Sequence, residues 1–150
     1  MSERRFVVAI DFDGVLCREA WPGIGEEMPG ALDFLRWLDE NDFDRVLWTC
    51  RSYHEDSLPE FEAMMIWLGE RGFGHGSGWA GINRNTDSMV EEYGSRPRKV
   101  GYDAIIDDKA VDLWSPTVFE ADAKTAVPAW LGIQKSLLRR REAWLAKRRA

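Results

Sequence analysis

Apolar residues along this chain follow two alternating periods. Phe6-Val7-Val8-Ala9-Ile10 is an unbroken apolar run with three β-branched residues, which predicts a strand buried on both faces. Arg45-Val46-Leu47-Trp48-Thr49 and Ala104-Ile105-Ile106 repeat the signal, and Trp79 to Asn83 repeats it weakly. Between these runs the spacing becomes helical. Leu32, Leu35 and Leu38 predict a helix with Pro29 in its first turn, ending at Asn41-Asp42. Ser57-Leu58-Pro59-Glu60 reads as a capping box that opens a second helix. Phe61, Met64, Met65 and Leu68 form its inner face, and it stops near Gly72. Met89 to Tyr93 predicts a short helix. Pro128 to Arg149 predicts a long one with Trp130, Leu131, Leu137, Leu138, Trp144 and Leu145 on one side. Residues 14–28, with Trp21-Pro22-Gly23 and Gly25, read as a loop. His75, within Gly74 to Gly78, reads as a loop residue, since no partner histidine lies close in sequence.

Strands alternating with helices predict an α/β fold: a three-layer, Rossmann-like parallel sheet with right-handed crossovers. The length of 150 residues suits one domain, 1–150. In such a sheet the carboxyl ends of the strands share one edge, and ligands bind there. Asp11, Asp13, Thr49, Asp107 and Asp108 all fall at predicted strand ends. Scattered surface acids would not collect in this way.

Composition narrows the setting. No apolar run approaches 18 residues, and Met1-Ser2-Glu3-Arg4-Arg5 leads straight into the first strand, so neither a membrane span nor a signal peptide is expected. Cys17 and Cys50 form no CxxC pair, and free thiols in a reducing cytoplasm are expected, with a lone disulfide as the alternative. The sixth residue after Cys50 is Asp56 and not arginine, which does not fit a cysteine-phosphatase signature. The net charge of −6 conceals an asymmetry. Residues 135–150 carry seven basic side chains and one acid, Glu142, so this segment is +6 and residues 1–134 are −12. The body should repel nucleic acid at long range, while the last helix could attract it.

Hard oxygen donors without nearby histidine or thiolate suit Mg²⁺. Asp11-Phe12-Asp13-Gly14 is not an EF-hand loop, because its glycine is fourth and it follows a buried strand. A carboxylate beside Mg²⁺ can act as a nucleophile, and a second acid two residues on can protonate a leaving group. Thr49 can donate to a phosphoryl oxygen. Lys99, just before the last strand, is placed to balance the phosphate, with Arg98 and Lys109 as alternatives.

Asp11-Phe12-Asp13-Gly14-Val15-Leu16, Thr49 after an apolar strand, a following lysine, and Asp107-Asp108 after Ala104-Ile105-Ile106 together resemble the four motifs of the haloacid dehalogenase superfamily, in order. The resemblance covers about residues 5–115 and is nearest to the small cap-less phosphatases. It implies Asp11 as the nucleophile that becomes phosphorylated and Asp13 as general acid, then base. It implies Thr49 and Lys99 at the phosphoryl group; Cys50 and Arg51, which follow Thr49 directly, are further substrate-binding candidates. It implies Mg²⁺ held by Asp11, the Asp13 backbone carbonyl and an acid of the last motif, with Asp108 favoured as the direct ligand and Asp107 behind it.

Thirty-five residues separate Asp13 from Thr49, and one helix and one strand use most of them. Neither that interval nor the one from Thr49 to Lys99 has room for a cap domain, so an open site is expected. Arg18, Trp21, Arg51, Tyr53, His54, Asn83 and Arg84 are candidates to contact a leaving group, and for each a surface or packing role weighs equally. The expected activity is Mg²⁺-dependent hydrolysis of a small phosphorylated substrate: a nucleotide, a sugar phosphate or a polynucleotide end. The alternative is a binding module that engages nucleic acid or protein through the basic helix. That helix is also compatible with docking on its own core or with a homodimer contact. A membrane-surface role is disfavoured by the acidic body.

Overall fold

The computed structural model describes residues 4–53, 55–94, 100–109 and 127–150. Strands β1 (Val7–Ile10), β2 (Asp44–Leu47), β3 (Trp79–Ile82) and β4 (Ala104–Ile106) form one parallel sheet in the order β3-β2-β1-β4. Helices α1 (Ala31–Glu40), α2 (Leu58–Glu70) and α3 (Asp87–Tyr93) connect successive strands, and α4 (Trp130–Arg149) follows the last. This is an α/β architecture compatible with a Rossmann-like fold.

The strand order reverses direction at β1. The chain steps outward from β1 to β2 to β3, then crosses back to place β4 on the other side of β1. The covering helices change face at the same point. Val8, Ile10 and Leu47 pack in one core with Leu35 and Leu38 of α1, Phe61 and Met64 of α2, and Ile133 and Leu137 of α4. Val7 and Val46, pointing the opposite way, pack with Met89 of α3 and Val100. A constant crossover hand requires this swap of face when the direction of travel reverses. The result is three layers with a topological switch point between β1 and β4, where open α/β sheets bind ligands.

Register brings the strand ends level. Ile10 pairs with Leu47 on one side and Ile106 on the other, and Leu47 pairs with Ile82. Asp11 therefore leaves the sheet beside the β4 end, where its N–H donates to the Ile106 carbonyl at 2.9 Å.

Several local expectations are corrected. Pro29 precedes α1 rather than forming its first turn. Gly30 sits before the helix at φ +81°, and the Trp130 indole of α4 lies against it, its Nε1–H donating to the Pro29 carbonyl at 2.7 Å. Ser57 precedes α2, but the capping box does not form. The Ser57 hydroxyl instead donates to the Ser52 carbonyl and accepts from the Ser52 N–H, closing the preceding turn. Helix α3 begins two residues earlier than its apolar pattern suggests, because Thr86 Oγ1 accepts from Met89 N–H as an N-cap.

The long helix α4 does not present its six expected residues on one face. Ile133 and Leu137 are buried and Trp130 and Trp144 pack beside them, whereas Leu131 is 73% and Leu138 is 40% exposed. Each exposed leucine follows an inward residue, and one step along a helix turns the side chain by about 100°. The helix docks on its own body: Trp144 meets the Phe6 ring edge-on at 5.8 Å, and Arg141 stacks on Phe43 at 4.2 Å. No helix of the described residues is long and apolar enough to cross a membrane.

Candidate active site

Asp11, Asp107 and Asp108 meet at the switch point. Each is partly exposed, and one carboxylate oxygen from each lies within 4.8 Å of the others. β1 delivers Asp11 and β4 delivers the other two, so the pairing of Ile10 with Ile106 creates the cluster. Burial pushes the Asp11 carboxyl up, the nearby Asp107 charge adds to that, and the Phe12 N–H, donating to Asp11 Oδ1 at 2.8 Å, only partly offsets them. The carboxyl is held at about 8. Asp108 is likewise raised, first by burial and then by its hydrogen bond with Asp107. Three crowded carboxylates carry an electrostatic cost that a cation would relieve.

The donor set fits a hard divalent ion. All three offer oxygen, and none of the cluster is histidine or cysteine. Mutual distances within 4.8 Å are compatible with three oxygens sharing one small cation. Asp107 Oδ1 already accepts the Lys109 N–H at 2.9 Å, which binds that acid into its own turn. Gly14, at φ +83°, lets the turn after β1 approach Asp108. A Cβ at position 14 would stand 2.6 Å from Asp108 Oδ2. The contact joins residues 94 positions apart and has no local signal beyond the glycine directly after Asp13, which marks the turn that makes it.

Asp13 lies apart from that trio in its bonding. Its two oxygens accept from Arg51 Nη2 at 2.8 Å and Nε at 2.9 Å, a bidentate pair. The Arg51 side chain is 0% exposed. Its remaining donors reach the carbonyls of Pro22, Gly23 and Glu60 at 3.3, 2.6 and 3.2 Å. A guanidinium has five N–H groups, and all five are directed at this chain. Every Arg51 donor is therefore engaged within the chain, and of the two roles weighed for it this geometry supports the packing role.

Thr49 lies two residues beyond the end of β2 and is half-buried. Its Oγ1 accepts the Arg51 N–H at 3.2 Å, which leaves its own O–H to donate elsewhere. Asn83, at φ +51° just past β3, also has a structural part. It accepts the Thr49 N–H at 2.8 Å and donates to the Arg51 carbonyl at 2.7 Å, so its amide fixes the loop after β2 and is not turned to a ligand. Cys50 is exposed and free, and Cys17 is buried and free. Burial, reinforced by the Asp13 charge, pushes the Cys17 thiol up to about 12. Trp21 is 49% and Tyr53 64% exposed, and Tyr53 Oη lies 3.3 Å from His75 Nε2. Arg84 sits 3.7 Å from Asp87 on the surface. Lys99, Arg98 and His54 lie outside the described residues. Lys109 is exposed at the β4 end.

The fold and the acidic edge together define an α/β protein with a carboxylate cluster at its topological switch point. No family model matches the chain, and no curated protein does. Among solved structures, a conserved protein from Bacteroides thetaiotaomicron is similar, with 26% identity over 91% of each chain and a TM-score of 0.62.

Proposed function

We propose that this chain is a cap-less hydrolase of the haloacid dehalogenase type, a Mg²⁺-dependent phosphatase that cleaves phosphomonoesters through an aspartyl-phosphate. The observation that carries this reading is the convergence of Asp11, Asp107 and Asp108 at the switch point, with Asp11 held far above an ordinary carboxylate. Asp11, Asp108 and the Asp13 carbonyl would hold the ion, with Asp107 supporting them. When bound, the ion neutralises the carboxylates and draws charge from the phosphoryl oxygens.

The chain's own residues then have definite tasks. An Asp11 oxygen attacks phosphorus, the bond from phosphorus to the leaving oxygen breaks, and that oxygen takes a proton from Asp13, which has to enter the cycle protonated on a lone pair that Arg51 does not occupy. In the second half Asp13 takes a proton from water, the water oxygen attacks phosphorus, and inorganic phosphate leaves as Asp11 is regenerated. The Thr49 hydroxyl donates to a phosphoryl oxygen, and Lys99 balances charge. An open site, as the sequence intervals imply, would admit a nucleotide, a sugar phosphate or a polynucleotide end.

Phosphate release from a panel of phosphomonoesters, with and without Mg²⁺, tests the reading. Wild type should turn over at least one class only with Mg²⁺, and Asp11→Asn should lower kcat by about 10³-fold or more. Turnover retained in folded Asp11→Asn would sink the mechanism.

A second reading rests on the exposed Lys135, Arg139, Arg140, Lys147 and Arg149 of α4. On that reading the helix engages nucleic acid, and affinity falls steeply with salt. Two basic residues of the same helix are already engaged within the chain. Arg141 donates to the Asn41 carbonyl, and Arg148 pairs with Glu92 at 2.9 Å. This favours a helix docked on its own body.

A further inference from the structure

A buried guanidinium is an expensive way to fill space, and apolar side chains of similar volume are usually as stable or more so. Arg51 is nonetheless fully buried, and its five donors tie three separate segments together. These are the turn after β1 through Asp13, the loop through Pro22 and Gly23, and the first turn of α2 through Glu60. The exposed Trp21 ring lies over the same guanidinium at 5.0 Å. The fold therefore places a fully buried cation, with every donor engaged, directly behind one particular carboxylate.

We propose that Arg51 is the positioning residue for Asp13. Two parallel N–H···O bonds fix both the direction and the plane of the carboxylate, which a single contact would not do. The three carbonyls fix the guanidinium in turn, so the orientation of Asp13 is inherited from the loop and from α2. No Arg51 donor remains for a phosphate. Its contribution to turnover must pass through Asp13, and this inference rests on the phosphatase reading given above.

Two variants test it. Arg51→Ala should lower kcat by about 10²-fold while KM stays within about threefold, because an acid–base group is displaced and no substrate contact is lost. Guanidinium ion at tens of millimolar should restore part of kcat by entering the cavity. Arg51→Lys keeps the charge but not the fork. It should fold, lose about tenfold or more in kcat, and gain nothing from guanidinium. A rise in KM with kcat unchanged would make Arg51 a substrate ligand and overturn the inference. So would wild-type kcat in Arg51→Lys, or loss in Arg51→Ala without rescue. If Arg51→Ala does not fold, Arg51→Lys carries the test alone.

Hydrogen exchange on both proteins separates this inference from the phosphatase reading. In Arg51→Lys the amides of residues 18–25 should lose protection while β1 and β2 keep theirs, whether or not any substrate is turned over. Unchanged protection there overturns the tie. A wild type inactive on every substrate, with protection lost in Arg51→Lys as expected, would leave the tie standing and count against the phosphatase reading alone.

Discussion

Gly14 and Asp108 occupy adjoining space: a methyl group on residue 14 would stand 2.6–2.7 Å from three atoms of the Asp108 side chain. The backbone at Gly14 is also left-handed, at φ +83°, where any other L-residue is strained. Gly14→Ala therefore meets two separate penalties. It should cost about 1–3 kcal/mol of stability, read as a lower urea midpoint. It should also push Asp108 away from Asp11, so the concentration of Mg²⁺ needed for half-maximal turnover should rise about tenfold or more. An alanine variant with wild-type stability and Mg²⁺ response would show that neither the turn nor the contact matters.

Asp107 and Asp108 are neighbours in sequence but not equivalent. Asp107 Oδ1 is already engaged by the Lys109 N–H, a bond that asparagine can keep, whereas Asp108 stands between the other two acids, hydrogen-bonded to both Asp107 and Asp11. Asp108→Asn should abolish most of the rise in Tm that Mg²⁺ gives the wild type, while Asp107→Asn should retain at least half of it. Thermal unfolding with and without 10 mM Mg²⁺ reads both, since an ion that binds only the folded state stabilises it by mass action. Equal losses would assign both acids the same direct contact.

What the sequence made legible follows from local physics. β1 was readable because a strand buried on both faces is apolar at every position, and the half-buried edge strand β4 because its three residues are all apolar; Asp11 and Asp107 mark where each run stops. The inner face of α2, with Phe61, Met64, Met65 and Leu68, follows from spacing alone and matches the structure. Arg51 was not legible. An arginine in a loop beside a threonine looks like a ligand for phosphate, and its burial depends on carbonyls 28 and 29 residues away. The outward Leu131 and Leu138 were misplaced for a related reason. A helix apolar on adjacent positions does not reveal which stripe its partner surface selects, and here Phe6 meets Trp144 and Phe43 meets Arg141, which turns that stripe inward. The capping box at Ser57 failed because a nearer turn took the hydroxyl.

The two thiols should separate cleanly in a labelling experiment. Cys50 is exposed, while Cys17 is buried with its thiol pushed up to about 12. The thiolate is the reactive form, so Cys17 needs unfolding before it can react at neutral pH. Native protein at pH 7.5 should release one equivalent of thionitrobenzoate from an aromatic disulfide reagent and a second only in denaturant. Cys50→Ser should abolish the fast equivalent. Two fast equivalents in the native protein would mean that the turn over Cys17 opens readily.

Asp11 should make the metal-free protein less stable as pH rises, a trend opposite to that of a salt-bridged carboxylate. Its value in the folded chain, about 8, lies above the ordinary 3.8. Between these values the unfolded chain has released a proton that the folded chain still holds. The stabilisation associated with that proton is complete below about pH 4 and is lost as pH rises towards 8. Asp11→Asn removes the titration while keeping an oxygen to accept the Phe12 N–H. In chelator, urea unfolding should therefore give nearly equal stabilities for the two proteins at pH 5. At pH 8 the asparagine variant should be more stable by about 1–2 kcal/mol. Saturating Mg²⁺ should shrink the gap at pH 8 or reverse its sign, because the ion compensates the charge only when Asp11 is a carboxylate. If the wild type is instead the more stable protein at pH 8 in chelator, the cluster is not under the electrostatic load that its geometry implies, and the case for a cation at the switch point loses its physical basis.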